Sequence, residues 1–259
     1  MILGERQTGR KLIGCALMAA AIFPDRLPEQ KKKTAILHRR NNMSQILFYE
    51  ERKQVAETMT RLYHTRLTTT SGGNISRRID EKTFCISPSA LDKGNLTPET
   101  IAVVTFEGEN LTPELKLSIE SEMHRLILLE NPEVNAVVHA HPVFSTLFTV
   151  TEKEVDTSLI AESWYVLGKP VMAKYRKMGT PELAREVADC AKRSRIVLLQ
   201  NHGVLATGKN LLNAFDGIEV FENAAKLTFY AALLKNAGEE IHPLTPEAMR
   251  ELRPDLSGN

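Results

Sequence analysis

Val134-Asn135-Ala136-Val137-Val138-His139-Ala140-His141-Pro142 is the stretch on which the fold turns. The run is short, apolar, rich in valine and closed by a proline, and it reads as a strand from Val134 to His141. A strand's period of two sends His139 and His141 to one face and Ala140 to the other, so both imidazoles can approach one cation. Pro142 cannot donate to the ladder and ends the strand, which places the pair at a sheet edge facing a cleft.

Working outward, Ile119 to Glu130 has helical spacing and stops at Asn131-Pro132. Before it, Ile75 to Ile79, Phe84 to Ser87 and Ile101 to Phe106 read as strands, the first two around a charged turn. Glu50 to Leu67 is an amphipathic helix with Val55, Met59 and Leu62 on its stripe. Downstream, Thr180-Pro181-Glu182 starts a helix with Thr as the cap and Pro in the first position, and Leu183, Val187 and Ala191 share one face. Ile196 to Gly208 reads as a hairpin turning through Gln200-Asn201-His202-Gly203, and a long helix runs from Leu211 to about Asn236 before Gly238. No repeat or linker interrupts this alternation. The pattern predicts a single α/β domain with a central mixed or mostly antiparallel sheet flanked by helices.

The 259 residues are 42% hydrophobic and 25% charged, an ordinary globular composition, and the formal charge of +1 hides an asymmetry. Residues 1–42 carry nine Lys/Arg against three Asp/Glu, whereas the remainder carries twenty-four against twenty-nine. An acidic body without basic, aromatic-interleaved stretches excludes a nucleic-acid surface. Cys15, Cys85 and Cys190 form no CxxC pair, which fits a reducing cytoplasm. The apolar run Leu12 to Phe23 is short of the roughly twenty residues that cross a bilayer, so no membrane association is expected. Met43-Ser44-Gln45 reads like a natural beginning, making 1–42 a dispensable leader or a misassigned start and 43–259 the functional domain.

His202 is the candidate third ligand, because Gly203 permits close backbone approach at another strand end. Three neutral imidazoles with an open fourth position form a catalytic zinc arrangement. Glu120 lies at the helix start with His124 one turn later on the same face. It can serve as a fourth ligand, a general base or both, or simply be a solvated first-turn carboxylate like Glu122. Ser71-Gly72-Gly73-Asn74 combines flexible glycines with side-chain donors and suits a phosphate, although a plain Gly-rich turn has the same composition. Ser89 and Ser118 add hydroxyls at further loop or helix starts.

Together, Ser71-Gly-Gly-Asn74-Ile-Ser, Ile86-Ser-Pro-Ser89, Lys116-Leu-Ser118-Ile-Glu120-Ser-Glu-Met-His124, Ala136-Val-Val-His139-Ala-His141 and Gln200-Asn-His202-Gly-Val resemble the class II aldolase/adducin family in order and spacing across about residues 45–235. The resemblance implies a three-layer α/β/α fold, one Zn2+ per subunit on His139, His141 and His202, and Glu120 as acid/base and transient ligand. It also implies a phosphate held by Ser71, Gly72, Gly73, Asn74, Ser89 and Ser118. Two positions depart from the pattern: Ala90 stands where glycine is usual and Ile119 where a second hydroxyl residue is usual. A catalytic tyrosine near a subunit border falls at Tyr165, with Tyr175 as its rival, and Glu162 and Trp164 fall near an aldehyde pocket. The implied function is zinc-dependent cleavage of a ketose 1-phosphate to dihydroxyacetone phosphate and an aldehyde, in a cytoplasmic homotetramer. Pentulose-5-phosphate 4-epimerisation and methylthioribulose-1-phosphate dehydration are the enzymatic alternatives. A non-catalytic adducin-like interaction module is the alternative of another class.

Overall fold

A computed structural model describes residues 46–256; the expected leader, 1–42, lies outside them. The chain divides into two units, 1–49 and 50–259, and apart from Tyr49, the first residue of the opening helix, everything below concerns the second. Helix α1 (Tyr49–His64) is followed by strands β1 (Asn74–Arg78), β2 (Thr83–Ile86) and β3 (Ala102–Thr105), then α2 (Ser121–Glu130), β4 (Ala136–Ala140) and the short α3 (Val143–Phe148). After these come α4 (Ala161–Leu167), β5 (Val171–Ala173), α5 (Pro181–Ala191), β6 (Ile196–Leu199), β7 (Gly203–Gly208), the long α6 (Leu211–Asn236) and α7 (Pro246–Leu252).

The strands form one seven-stranded sheet in the order β3-β2-β1-β4-β7-β6-β5. All neighbours are antiparallel except β5 and β6, which makes the sheet mixed, as expected. Strand β4 is therefore central, with β1 and β7 on its two sides. The expectation of a sheet edge is corrected here: His139 and His141 mark the C-terminal end of an interior strand, and His141 lies just past its last residue. Alternation decides which side faces what. Phe84, Ile86, Val137, Val197, Leu199 and Leu205 point to a core shared with Met123 and Ile127 of α2 and Leu183 and Val187 of α5. Burying each large aliphatic there contributes about 1.5–3 kcal/mol. Helix α6 packs against β7 and β4 on the chain's other layer.

Helix α5 begins as its sequence dictates, with Thr180 Oγ1 accepting from Leu183 N at 3.3 Å and Pro181 in the first turn. The elements absent from the sequence reading, α3, α4, β5 and α7, are all seven residues or fewer, too short for periodicity to register.

Candidate active site

Strand β1 and helix α2 are matched rung by rung. Two strand residues advance about 6.7 Å and four helical residues about 6 Å, so alternate strand side chains meet successive turns. Asn74 meets Glu120, Ser76 meets His124, and the Arg78 guanidinium reaches the Leu128 carbonyl. Because Asn74 is paired with His139 across the antiparallel ladder, His139 shares that face and is brought beside Glu120.

The ligand nitrogens of His139, His141 and His202 all lie within 4.8 Å of one another. The Nε2 atoms of His139 and His141 are 3.1 Å apart. His139 Nδ1 lies 3.0 Å from the Val204 carbonyl, an acceptor only, so Nδ1 carries the proton and Nε2 presents its lone pair to the cluster. Burial, followed by the charge of His202, pushes His139 down to about 3. Burial also pushes His141 down to about 3, helped by His139 and His202 and opposed by Glu120. Neutral imidazoles with converging lone pairs are what a divalent cation binds.

Glu120 occupies the cap position of α2 but caps nothing; its carboxylate turns into the cluster instead. Oε2 is 3.5 Å from His139 Nε2 and Oε1 is 3.4 Å from His202 Nε2. With His139 neutral, its contact with Oε2 is not an ion pair. Among the described residues, Glu120 Oε1 and His202 Nε2 are both buried without a hydrogen-bond partner. An unpaired buried polar atom costs about 1–3 kcal/mol, and a cation between these two would satisfy both.

Glycines let the rings come this close. A Cβ on Gly203 would overlap His141 Cδ2 and stand 2.6 Å from the Ala140 carbonyl, and one on Gly72 would stand 2.8 Å from His141 Nδ1. The close approach expected at Gly203 is therefore made to His141, a detail that spacing alone does not carry. The turn before Gly203 runs through Asn201 at φ 59°, a region that asparagine tolerates.

Of the expected phosphate residues, Ser118 is buried, Ser71 is exposed and Ser89 is partly exposed. Ser87 ties the Pro88-Ser89 loop to β1 by accepting from Ile75 N at 3.0 Å. Ala90, the residue that departs from the usual glycine, has φ 57°, the left-handed conformation that explains the glycine preference and costs an alanine about 1–2 kcal/mol. Lys93 escaped the sequence reading because nothing in its spacing marks it. It is 1% exposed and reaches the Pro88 carbonyl, while its backbone N–H donates to Thr70 O at 3.0 Å and ties the two loops together. Burial lowers its ammonium to about 8, against the pull of Glu120, so a cation stands behind a cradle that had read as uncharged.

Tyr165 and Tyr175 are both exposed. Tyr165 lines a shallow hollow with Arg195, Asn213, Asp216 and Arg253. The backbone N–H of Tyr175 donates to Gln200 Oε1 at 2.9 Å, next to the turn that carries His202. Among the described residues, neither hydroxyl is bonded to a triad histidine or to Glu120. Trp164 borders a cavity of about 610 Å³ with Met172, Gln200 and Met249, whereas Glu162 is exposed and outside that lining.

A family model described as the class II aldolase and adducin N-terminal domain matches residues 53–229. The chain belongs to the class II aldolase and adducin family. It is an enzyme of the class II, metal-dependent aldehyde-lyase type. Among its relatives, the 3-oxo-tetronate 4-phosphate decarboxylase of Haemophilus influenzae is 32% identical over 77% of this chain and 95% of its own length. The L-fuculose phosphate aldolase of Methanocaldococcus jannaschii is 31% identical over 71% and 99%. A solved L-fuculose 1-phosphate aldolase superposes with a TM-score of 0.71 at 30% identity, covering 81% of this chain and 97% of that one. The class II aldolase architecture inferred from the motifs is thus the fold of this chain.

Burial of the histidines has a consequence for stability. His124 and His139 are fully buried and each is lowered to about 3, burial being the first cause, so the unfolded chain takes up protons below about pH 6.5 that the folded chain refuses. Each histidine therefore removes roughly 2 kcal/mol of apoprotein stability by pH 5, with nothing lost above about pH 7. Thermal melts of metal-free protein at pH 7.5, 6 and 5 should show a progressive fall in Tm. A flat profile would contradict the neutral, buried assignment.

Proposed function

We propose that the chain is a zinc-dependent aldolase that cleaves a ketose 1-phosphate into dihydroxyacetone phosphate and an aldehyde. The observation carrying this reading is Glu120 Oε1: a buried carboxylate oxygen without a hydrogen-bond partner, 3.4 Å from an equally unpartnered imidazole nitrogen. His139, His141 and His202 would hold the cation, with Glu120 as a transient fourth ligand. When bound, zinc supplies positive charge for the substrate's carbonyl and adjacent hydroxyl oxygens.

The chain's own groups do the rest. The hydroxyls of Ser71, Ser89 and Ser118 and the backbone from Gly72 to Asn74 grip the phosphate, with the Lys93 ammonium behind them. As the carbon–carbon bond breaks, its electron pair passes into the triose phosphate as an enediolate. The proton of the departing carbinol passes to the second acid/base, an exposed tyrosine whose oxygen accepts it as its own proton passes to water; we assign this role to Tyr165, with Tyr175 as the rival. Glu120, having first taken up a proton from solvent, delivers it to the enediolate carbon and returns to its carboxylate form, and positioning converts a slow fragmentation into an oriented one.

A homotetramer is part of this proposal. Val143, Leu147, Val150, Tyr230, Leu233 and Leu234 are exposed on α3, the segment after it and the far half of α6, an apolar surface of the kind that marks interfaces. The mass in solution, from light scattering, tests it. A cytoplasmic location is part of the same proposal; among the described residues no helix is long and apolar enough to cross a membrane.

The decarboxylase relative favours a second reading. Loss of carbon dioxide from a 3-oxo-tetronate 4-phosphate leaves the same triose-phosphate enediolate, so the same cradle and the same base would serve with carbon dioxide as leaving group. The test is a panel of ketose 1-phosphates, methylthioribulose 1-phosphate among them, together with a pentulose 5-phosphate and 3-oxo-tetronate 4-phosphate, scored for substrate turnover, for dihydroxyacetone phosphate and for aldehyde or carbon dioxide. Aldehyde with dihydroxyacetone phosphate supports the aldolase. Carbon dioxide selects the decarboxylase. Turnover of a pentulose 5-phosphate or methylthioribulose 1-phosphate without free dihydroxyacetone phosphate selects epimerase or dehydratase.

A further inference from the structure

We propose that Glu222 of α6 is a positioning residue for the metal triad, acting through helix α3, which braces His141 against His202. The proposal rests on the reading of the three histidines as the metal ligands.

The three histidines are not held alike. His139 lies inside the sheet, paired with Asn74 on one side and Leu205 on the other. His141 lies past the last pair of β4, Ala140 with Val204, and His202 lies in the turn closed by the pair Leu199 and Gly203. Ladder hydrogen bonds therefore stop short of two of the three ligands. The spacing of those two must be set by what joins their segments.

Helix α3 joins them. It starts directly after His141-Pro142, and at its far end the Thr149 carbonyl accepts from the backbone N–H of Asn201, the residue before His202, at 3.0 Å. Within it, Thr146 N donates to Pro142 O at 2.9 Å and Thr149 N to Thr146 O at 3.0 Å. Ser145 is 0% exposed and Thr149 1%, so this strut, about 10 Å long from Pro142 to Thr149, is set into the protein.

A strut holds only if its ends are fixed. The first N–H groups of a helix need acceptors, which a side chain at the cap position usually supplies. Here the cap position is Pro142, which makes no side-chain cap bond. Glu222 fills that role from α6. Oε1 accepts from Phe144 N at 2.9 Å, and Oε2 accepts from Ser145 N and from Ser145 Oγ, each at 2.7 Å. A carboxylate facing the first turn also suits the helix dipole. Among the described residues Glu222 bonds to no triad histidine, so it acts on the ligands only through the backbone that follows His141 and the carbonyl that receives Asn201.

The test is the zinc Kd, measured by chelator competition, for wild type, Glu222→Ala, Glu222→Asp, Glu222→Gln and Thr180→Ala, with Tm recorded for each. Glu222→Ala should weaken zinc binding about tenfold or more, the cost of removing a support behind a ligand. Glu222→Asp, one methylene short of the same N–H groups, should weaken it likewise and decides the matter if the alanine variant does not fold. Glu222→Gln, whose carbonyl oxygen can still accept from Ser145, should stay within about threefold of wild type. Thr180→Ala removes the cap of α5 and should lower Tm while moving the zinc Kd less than about twofold. At saturating zinc, amide hydrogen exchange at Asn201 should quicken in Glu222→Ala and stay unchanged in Thr180→Ala. An unchanged zinc Kd in Glu222→Ala and Glu222→Asp, or an equal weakening in Thr180→Ala, overturns the proposal. Wild-type protein that takes up no zinc refutes the reading of the triad, and the proposal falls with it; wild type that takes up zinc no better than Glu222→Ala refutes the proposal alone.

Discussion

Glu120→Gln is expected to lower turnover by roughly 10²–10⁴-fold while leaving metal content and Tm close to those of the wild type. The amide has nearly the same volume, and its oxygen can still accept from Asn74 Nδ2 at the 2.7 Å position. What it cannot do is take up and release a proton. Because Glu120 caps no backbone group and forms no ion pair with the neutral His139, the substitution removes little that holds α2 in place. Elemental analysis and a melting curve on the sample used for kinetics separate loss of the proton carrier from loss of the site. A glutamine variant within tenfold of the wild type would remove Glu120 from the mechanism.

Stripping the cation should have the second large effect. His139 and His141 come from the end of β4 and His202 from the β6–β7 turn, and their ligand nitrogens all lie within 4.8 Å of one another. A ligand present at a thousand times its Kd stabilises the folded state by about 4 kcal/mol, which for a chain of this size corresponds to a rise of roughly 8–16 °C in Tm. Prolonged chelation should therefore abolish turnover and lower Tm, and added zinc should restore both. His139→Ala should show neither activity nor a zinc-dependent Tm. Full turnover by metal-free protein would refute the assignment of the triad and revive a reading in which the histidines are structural.

Much of this was legible in the sequence, for physical reasons. The period of two at His139-Ala140-His141 and the glycine after His202 are local signals, and local signals survive in a sequence. Thr180-Pro181 fixed the start of α5 because capping chemistry is likewise local. Other features depend on partners distant in the chain. That β4 is central follows from β1 and β7 folding to its two sides, which nothing within residues 134–142 announces. Lys93 is buried because two loops close over it, and its own neighbours, Asp92 and Gly94, read as an ordinary turn. Asn74 was legible as a polar residue in a glycine-rich loop, but that it faces Glu120 and His124 depends on the match between strand and helix repeats. Ala90 was visible as a departure, and the backbone explains it: the position demands a positive φ.

The central claim is that Glu120, beside the three histidines, moves a proton on and off a carbon of a triose-phosphate enediolate, whatever group leaves. Incubating zinc-loaded protein with dihydroxyacetone phosphate in D2O, and following the hydroxymethyl protons by ¹H NMR, tests it without choosing among substrates. The account predicts that one of the two protons on the carbon bearing the free hydroxyl exchanges for deuterium, and that exchange stops in Glu120→Gln and after chelation. Exchange that persists undiminished in Glu120→Gln, or no exchange by wild-type protein with metal bound, would contradict it.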